Sequence, residues 1–213
     1  MRLPAIVIFF LITALASRAS AQDPPPRIGP FVVDVHMSLP AFPTDSQQLA
    51  DSRSLTLGEL PGRGLGGQVG AHYYFPAWHA LTVGLGGEVM IARASSTPAD
   101  PSSGLRSVDE RLVSASPQLS FNFGSGHGWS YLSGGIGRAV WALHEAGLEP
   151  SEADVEPLLT VNYGGGARWF IKQHVAFSLD VRFYEIREGT PVPPAPGSPR
   201  TTLFIIAAGI SLK

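Results

Sequence analysis

A histidine and a serine stand two residues apart in the stretch VHMSL, as His36 and Ser38. Hydrolysis through a serine nucleophile needs a serine, a histidine that takes its proton and a carboxylate that orients the histidine. Residues two apart in a strand share a face, so these two side chains would point the same way. They form one candidate hydrolytic site, but the alternation of this strand places both on its polar face, away from the apolar residues Val35, Met37 and Leu39 and from any lipid that those residues contact.

Acidic side chains are concentrated in the segment HEAGLEPSEADVEP, which contains no lysine or arginine. Carboxylate oxygens are ligands that Ca²⁺ and Mg²⁺ prefer, so this segment could collect such a cation, although it lacks the spacing of an EF-hand loop. A solvated acidic loop is the simpler interpretation. The acids of this segment are Glu145, Glu149, Glu152, Asp154 and Glu156.

Composition narrows the classes of function. The chain has 213 residues, with 15 Lys+Arg against 17 Asp+Glu and a formal net charge of -2. This balance predicts no nucleic-acid partner, which would need a concentrated basic surface. The absence of cysteine excludes disulfides, thiolate metal sites, a cysteine nucleophile and a lipidated cysteine anchor, and we expect no cofactor.

The first 21 residues have the pattern of a secretory signal peptide. Arg2 provides the positive start, residues 5–16 are apolar, and Ala19-Ser20-Ala21 has the small-x-small form of a cleavage site. The apolar run is shorter than the roughly 20 residues of a transmembrane helix. We therefore predict export, with residues 1–21 as the signal peptide and residues 22–28 as an extended periplasmic leader.

The stretch VAFSLDVRFYEI alternates between apolar and polar residues, which predicts a strand with one apolar face. The same period recurs in further segments, each at least about as long as the 9–11 residues that cross a bilayer as a tilted strand. We place eight segments at residues 29–41, 63–75, 80–93, 111–123, 129–143, 157–171, 175–187 and 201–212. Residues 29–213 are thus predicted to form one all-β domain.

The connections between these segments alternate in length. Those at 76–79, 124–128 and 172–174 are tight, whereas those near 42–62, 94–110, 144–156 and 188–200 are long and rich in Pro, Ser, Asp and Glu. Outer membrane barrels have short periplasmic turns at one end and longer extracellular loops at the other. The alternation therefore favours such a barrel, with both termini on the periplasmic side.

Two observations indicate which medium the apolar faces meet. The polar faces carry mostly small residues, and lysine occurs only at positions 172 and 213, whereas a solvated surface would carry many lysines and glutamates. Aromatic residues gather near the predicted strand ends, as in the interfacial girdles of membrane barrels. These aromatics are Phe42, Phe75, Trp78, Phe123, Trp129, Tyr131, Trp141, Trp169 and Phe183. We predict an eight-stranded antiparallel up-and-down transmembrane β-barrel with its apolar face outward and a polar, packed lumen; a soluble sandwich or a lipocalin-like barrel is the alternative.

Six charged residues are predicted to point into the lumen, namely Asp34, Glu88, Arg138, Arg168, Asp180 and Arg182. The phase of strand 129–143 is ambiguous, and Arg138 is placed inward because an arginine on the lipid face near the midplane would cost about 2–4 kcal/mol. Counting from the short turns places Arg168 and Asp180 at one depth on neighbouring strands, so we predict that these two form a pair. Glu88, Arg138 and Arg182 fall at a higher one. We interpret the six as a structural salt-bridge network that fills the lumen, and a gated ion path is the alternative.

On these features the chain resembles the small eight-stranded OmpA/OmpX-like outer membrane barrels. The resemblance spans nearly everything after the signal peptide, and it rests on the four hairpins and on the stretches YLSGGIG, VNYGGGARWFIK and LFIIAAGISLK. No peptidoglycan-binding function is expected, because the sequence shows no added domain of that kind.

The chain departs from the family in ending on Leu212-Lys213 rather than an aromatic residue. Pro117 inside the fourth strand predicts a bulge.

The sequence thus predicts a non-enzymatic, monomeric barrel of the bacterial outer membrane with a structural or surface-interaction role. Its expected partners are outer membrane lipid, lipopolysaccharide and the outer-membrane assembly machinery. A barrel enzyme that modifies lipid A is one alternative, since some barrels of this size act on lipid A. A narrow channel for ions or small solutes is the other, because an eight-stranded barrel is too narrow for a general porin.

Overall fold

The computed structural model describes residues 27–76, 81–191, 193 and 196–213. Within this part of the chain, eight antiparallel strands close into one barrel, in which each strand pairs with the next and the last pairs with the first. The strands are β1 (Phe31–Ala41), β2 (Leu65–Tyr74), β3 (Leu81–Ser96), β4 (Val108–Ser125), β5 (Gly128–Glu145), β6 (Pro157–Lys172), β7 (Val175–Ile186) and β8 (Thr201–Leu212). The predicted eight-stranded up-and-down barrel is confirmed. The predicted signal peptide, residues 22–26 of the leader and Trp78 lie outside the described residues.

The long connections define one end of the barrel, which we call the long-loop end. They are L1 (42–64), L2 (97–107), L3 (146–156) and L4 (187–200). L1 contains helix α1 (Gln47–Ser52) and the 3-10 helix Leu57–Glu59, L2 contains the 3-10 helix Pro101–Ser103, and L3 contains helix α2 (Glu152–Val155). Strands β3, β4 and β5 continue two or three residues further into the loops than predicted.

No helix among the described residues is long and apolar enough to cross a membrane.

The outward faces of the strands form an apolar band around the barrel. In β7 the odd-numbered residues from Phe177 to Phe183 are exposed, and the even-numbered ones from Ala176 to Tyr184 are buried. In β5, Leu132 and Ile136 are 61% and 63% exposed. Contiguous apolar surface on this scale is stable in hydrocarbon and unfavourable in water. The alternating segments therefore place their apolar faces on lipid.

Strand β5 keeps a single phase in which the odd-numbered residues point inward. Arg138 is exposed on the outward face, so its predicted inward placement is wrong. It lies opposite Leu159, close to the start of β6 at the long-loop end, so it avoids the cost of the membrane midplane. Its guanidinium donates to the carbonyl oxygen of Pro157 at 3.2 Å. The phase was hidden because inward position 135 is glycine, where a Cβ would collide with the carbonyl oxygen of Pro117.

Some of the predicted girdle aromatics are instead interior residues. Those buried are Phe42, Trp129, Tyr131 and Trp141. Those exposed near strand ends, as predicted, are Phe75, Phe123, Trp169 and Phe183. Three of the four errors lie in β5 and follow from its inward odd-numbered phase, whereas Phe42 lies just beyond β1 and turns inward with L1.

The predicted bulge at Pro117 is also wrong. Pro117 pairs in register with Gly87 of β3. On the other side, the pairs Ala115–Arg138 and Leu119–Gly134 keep the same register with β5 across the unpaired stretch between them. The proline removes one hydrogen-bond donor from the ladder without inserting a residue.

Leu179 tests the assignment of the lipid face, because it is 39% exposed near the middle of β7. Leu179→Arg should lower the free energy of unfolding by about 2–4 kcal/mol if the site lies near the bilayer midplane. Leu179→Met keeps an apolar side chain and is the matched control, with little expected effect. The measurement is urea unfolding in lipid vesicles. Equal stability of the two variants would mean that this face does not contact lipid.

Candidate functional site

Arg168 and Asp34 form an ion pair inside the barrel, towards the short-turn end. The Arg168 Nε and Nη2 atoms donate to the two Asp34 carboxylate oxygens at 2.9 and 2.5 Å. The Ser211 hydroxyl also donates to Asp34 at 2.5 Å, and the Arg168 guanidinium carbon lies 4.2 Å from the centre of the Tyr131 ring. Arg168 is only 2% exposed, so this charge depends on its partners inside the lumen.

Arg182 organises a second cluster on the long-loop side of that pair. Its guanidinium lies 3.1 Å from an Asp180 carboxylate oxygen and 3.6 Å from one of Glu88. It also donates to Ser133 at 2.7 Å, Asn162 at 3.0 Å and Gln118 at 3.2 Å. The Tyr184 hydroxyl donates to Glu88 at 2.5 Å. Nearly all hydrogen-bonding positions of this buried arginine are therefore used within the protein.

The pairing of these charges differs from the sequence-based expectation. Five of the six predicted lumen residues point inward, and Arg138 does not. Arg168 binds Asp34 across the lumen, whereas Asp180 binds Arg182 and accepts a hydrogen bond from Tyr131 at 2.7 Å. The predicted pair of Arg168 with Asp180 is wrong, because a long arginine side chain in a narrow lumen reaches beyond the neighbouring strand. The expected meeting of Glu88 and Arg182 is present.

The half of the lumen nearest the long loops is filled by apolar side chains, which the sequence reading missed. The strands contribute Met90, Ala92, Ala94, Val108, Leu112, Ala139, Trp141, Leu143, Leu158, Tyr184, Ile186, Leu203 and Ile205. L1 turns back over this opening and adds Phe42, Leu49, Ala50, Leu55 and Leu60 to the same cluster. The available signal was the presence of four leucines in a loop that otherwise carries mainly polar residues and small turn formers, and three of them (Leu49, Leu55 and Leu60) pack into the cluster. Glu110 lies in this level and accepts a hydrogen bond from the Trp141 indole at 2.8 Å.

Arg53 joins three of the four long loops. It extends from L1 and donates to Asp154 of L3 at 2.9 Å and to Ser198 of L4 at 2.8 Å, and its side chain is almost fully buried. Burial opposes ionisation of the Asp154 carboxyl, but the Leu143 N–H, Ser151 and the charge of Arg53 lower its pKa overall. The carboxylate is therefore held ionised between the loops.

Arg106 of L2 makes the corresponding tie to L1. Its Nε donates to a Glu59 carboxylate oxygen at 2.9 Å, and its backbone N–H donates to the same oxygen at 2.8 Å. The guanidinium also donates to the carbonyl oxygen of Ser54. The hydrogen bond from the Arg106 side chain is the main cause that lowers the pKa of Glu59 to about 2. Together, Arg53 and Arg106 tie the four loops into a cap over the apolar level.

The candidate hydrolytic residues are enclosed in the lumen. His36 Nε2 lies 2.7 Å from the Ser178 hydroxyl, and Ser38 is not its partner. His36, Ser38 and Ser178 are all buried. They lie among the side chains that fill the lumen.

The acidic segment is largely used by the cap. Asp154 binds Arg53, and Glu156 accepts hydrogen bonds from the Thr190 backbone and hydroxyl at 2.9 and 2.8 Å. Glu145 lies 3.8 Å from Arg106. Across the described ranges, no three histidine or acidic side chains are grouped so that they could hold a metal ion.

Solved structures share this fold. Neisserial surface protein A aligns with a TM-score of 0.58 and 13% identity, covering 87% of this chain and 97% of that one. The outer membrane protein OprG from Pseudomonas aeruginosa aligns with a TM-score of 0.50 and 11% identity, covering 88% of this chain and 97% of that one. No protein-family model matches the sequence, and a search of curated proteins gives no significant match. The fold is thus that of outer membrane β-barrels, and the narrower OmpA/OmpX-like assignment stays a prediction.

The lumen pair yields a double-mutant test. Arg168→Met should lower the free energy of unfolding by about 3–5 kcal/mol, because it leaves Asp34 as an uncompensated buried charge. Adding Asp34→Leu should recover most of that loss. Adding Asp180→Leu instead should not, because Asp180 is bound to Arg182 and Tyr131. Urea unfolding of the wild type and the three variants measures these differences. Recovery with Asp180→Leu but not with Asp34→Leu would instead show that Arg168 pairs with Asp180.

The Glu59 contact predicts acid-dependent loosening of the cap. The folded pKa of about 2 lies below the ordinary value of 4.5, so the contact stabilises the cap fully above about pH 4.5 and is lost as the pH falls towards 2. Hydrogen exchange of the Arg106 amide, corrected for its intrinsic pH dependence, should therefore accelerate over that window. In Glu59→Gln the amide should exchange quickly at every pH. Unchanged protection of the wild-type amide at pH 2 would contradict this role of Glu59.

Proposed function

We propose that the protein is a non-enzymatic, non-conducting barrel of the bacterial outer membrane, which presents a firmly tied loop surface outside the cell in a structural or surface-interaction role. The observation that carries this proposal is that the lumen is filled at two levels. Charged and polar residues, together with the buried side chains of Val32, Tyr74, Trp129 and Tyr131, fill the half near the short turns, and apolar residues fill the half under the cap.

The two levels oppose transport in different ways. An ion crossing the lower level would have to separate Arg168 from Asp34 and Arg182 from Asp180, which leaves charges unpaired in a narrow interior. A solute crossing the upper level would have to displace L1 and its leucines. The gated ion path is therefore the weaker alternative, because it requires both rearrangements at once.

The long-loop end offers a surface that is suited to contact with another molecule. The cap holds its loops through Arg53 and Arg106, so binding there would order few additional residues. A recess of about 410 Å³ opens between the four long loops, and Leu55, Leu148 and Glu149 are among the residues that line it. These features support a surface-interaction role.

The enclosure of His36, Ser38 and Ser178 argues against a lipid-modifying enzyme built on these residues. The closed ladder leaves no free strand edge among the described residues, so we infer a monomer. The signal-peptide pattern supports export, and the apolar band supports insertion through the outer-membrane assembly machinery. Bilayer lipid and lipopolysaccharide are then the partners of the outward face.

Conductance tests the proposal directly. The wild-type barrel, inserted into planar bilayers, should show no steady ohmic conductance, because both levels of the lumen are filled. A variant in which residues 46–55 are replaced by a short Gly-Ser linker loses the helix over the upper level, and it should also remain closed because the Arg182 cluster persists. Vesicle flotation and protease protection verify insertion. Reproducible channel events in the wild type would overturn the proposal and favour the ion path.

A further inference from the structure

Three exposed arginines lie at the long-loop end of neighbouring strands, and we call them the rim arginines. Arg63 continues the outward face of β2 two residues beyond Leu65, where it bridges to Ala41. Arg93 lies in β3 opposite Leu65, and Arg111 lies in β4 opposite Arg93. The three guanidinium groups therefore occupy one sector of the outward rim.

Each rim arginine follows directly on an uncharged outward run. Alternate residues from position 65 to 75, from 81 to 91 and from 113 to 123 carry no charge. A run of this length covers about 33 Å along a strand at roughly 3.3 Å per residue. At a tilt of about 40° it covers roughly 25 Å of height, which matches the apolar band of a membrane barrel. The rim arginines thus stand at the edge of the lipid-facing band, at headgroup level.

The strand register places two of these positively charged residues directly opposite each other on neighbouring strands. Directly opposed residues on neighbouring strands have Cβ atoms about 4.5–5.5 Å apart, and like charges at such positions repel each other. Arg93 and Arg111 are opposed in this way. No ion pair among the described residues includes a rim arginine. Asp109, the adjacent acid in β4, instead accepts a hydrogen bond from Ser95 at 2.8 Å.

We propose that Arg63, Arg93 and Arg111 form a binding site for the phosphoryl groups of phosphorylated lipid A in the outer leaflet. Guanidinium groups bind phosphate oxygens through two parallel hydrogen bonds, and an anion between opposed arginines would relieve their repulsion. A lipid that carries both a phosphorylated headgroup and acyl chains fits a cationic rim that borders an apolar wall. The inference rests on the proposed function, since the long-loop end must face the outer leaflet.

The test compares lipid A with and without its phosphates. Purified, folded barrel in uncharged detergent is titrated with fluorescent bisphosphorylated lipid A, and separately with the dephosphorylated lipid carrying the same acyl chains. Arg93→Gln/Arg111→Gln should weaken binding of the phosphorylated lipid by about 25-fold, taking about fivefold for each arginine. Arg200→Gln is the matched control, because Arg200 is also exposed at the long-loop end but already lies 3.1 Å from Glu185. The dephosphorylated lipid should bind all three proteins equally.

Several outcomes would overturn the site. An equal loss in Arg200→Gln would indicate a general effect of positive charge, and competition by inorganic phosphate at matched concentration would indicate a free-anion site. Wild-type binding should weaken as salt is added, and this readout does not depend on the variant folding. If the wild type is folded and non-conducting but shows no preference for the phosphorylated lipid, this inference fails while the proposed function stands. Channel events would instead contradict the proposed function and leave the lipid result intact.

Discussion

The closure of eight strands leaves an interior that side chains can fill, and a polar group that points into it has little water to bind. Each buried charge must therefore find its partner across a few ångströms of lumen. Arg168 meets Asp34 in this way, and Arg182 meets Asp180 and Glu88. Because each guanidinium binds several acceptors at once, removing an arginine leaves several buried acceptors without their hydrogen bonds.

The same need to fill the interior is met differently at the two ends. Near the short turns, charged and amide side chains form ion pairs and hydrogen bonds with one another, whereas under the cap the strands present apolar residues and L1 supplies Leu49, Leu55 and Leu60 from above. The packing of L1 into the opening also places its polar residue Arg53 next to the other loops. Arg53 then reaches Asp154 and Ser198. The long loops are thus held in a fixed arrangement because L1 packs into the lumen.

The parts of the structure that can be predicted from the sequence are those in which apolar and polar residues alternate with a fixed period. Alternation in VAFSLDVRFYEI reports the two faces of a strand directly, so the barrel and its lipid face followed from it. Arg138 was misplaced because glycine at an inward position of β5 leaves no side chain to show the phase. The leucines of L1 that fill the barrel opening show no periodicity in the sequence, because their positions depend on contacts with strands that are distant in the chain. The partner of Arg168 was missed because strand counting compares neighbours, whereas this side chain crosses the lumen.

Arginine is the basic residue both in the interior of the barrel and at its rim. Lysine occurs only at positions 172 and 213, so nearly all basic residues are arginines. In the lumen and the cap this choice has a clear cause, because a planar guanidinium can bind several fixed acceptors whereas an ammonium is a compact, strongly hydrated point charge. The rim arginines carry the same group but no carboxylate partner from the described chain. A requirement for positive charge alone would be met equally well by lysine, so arginine at the rim favours recognition of a planar or multidentate anion from outside.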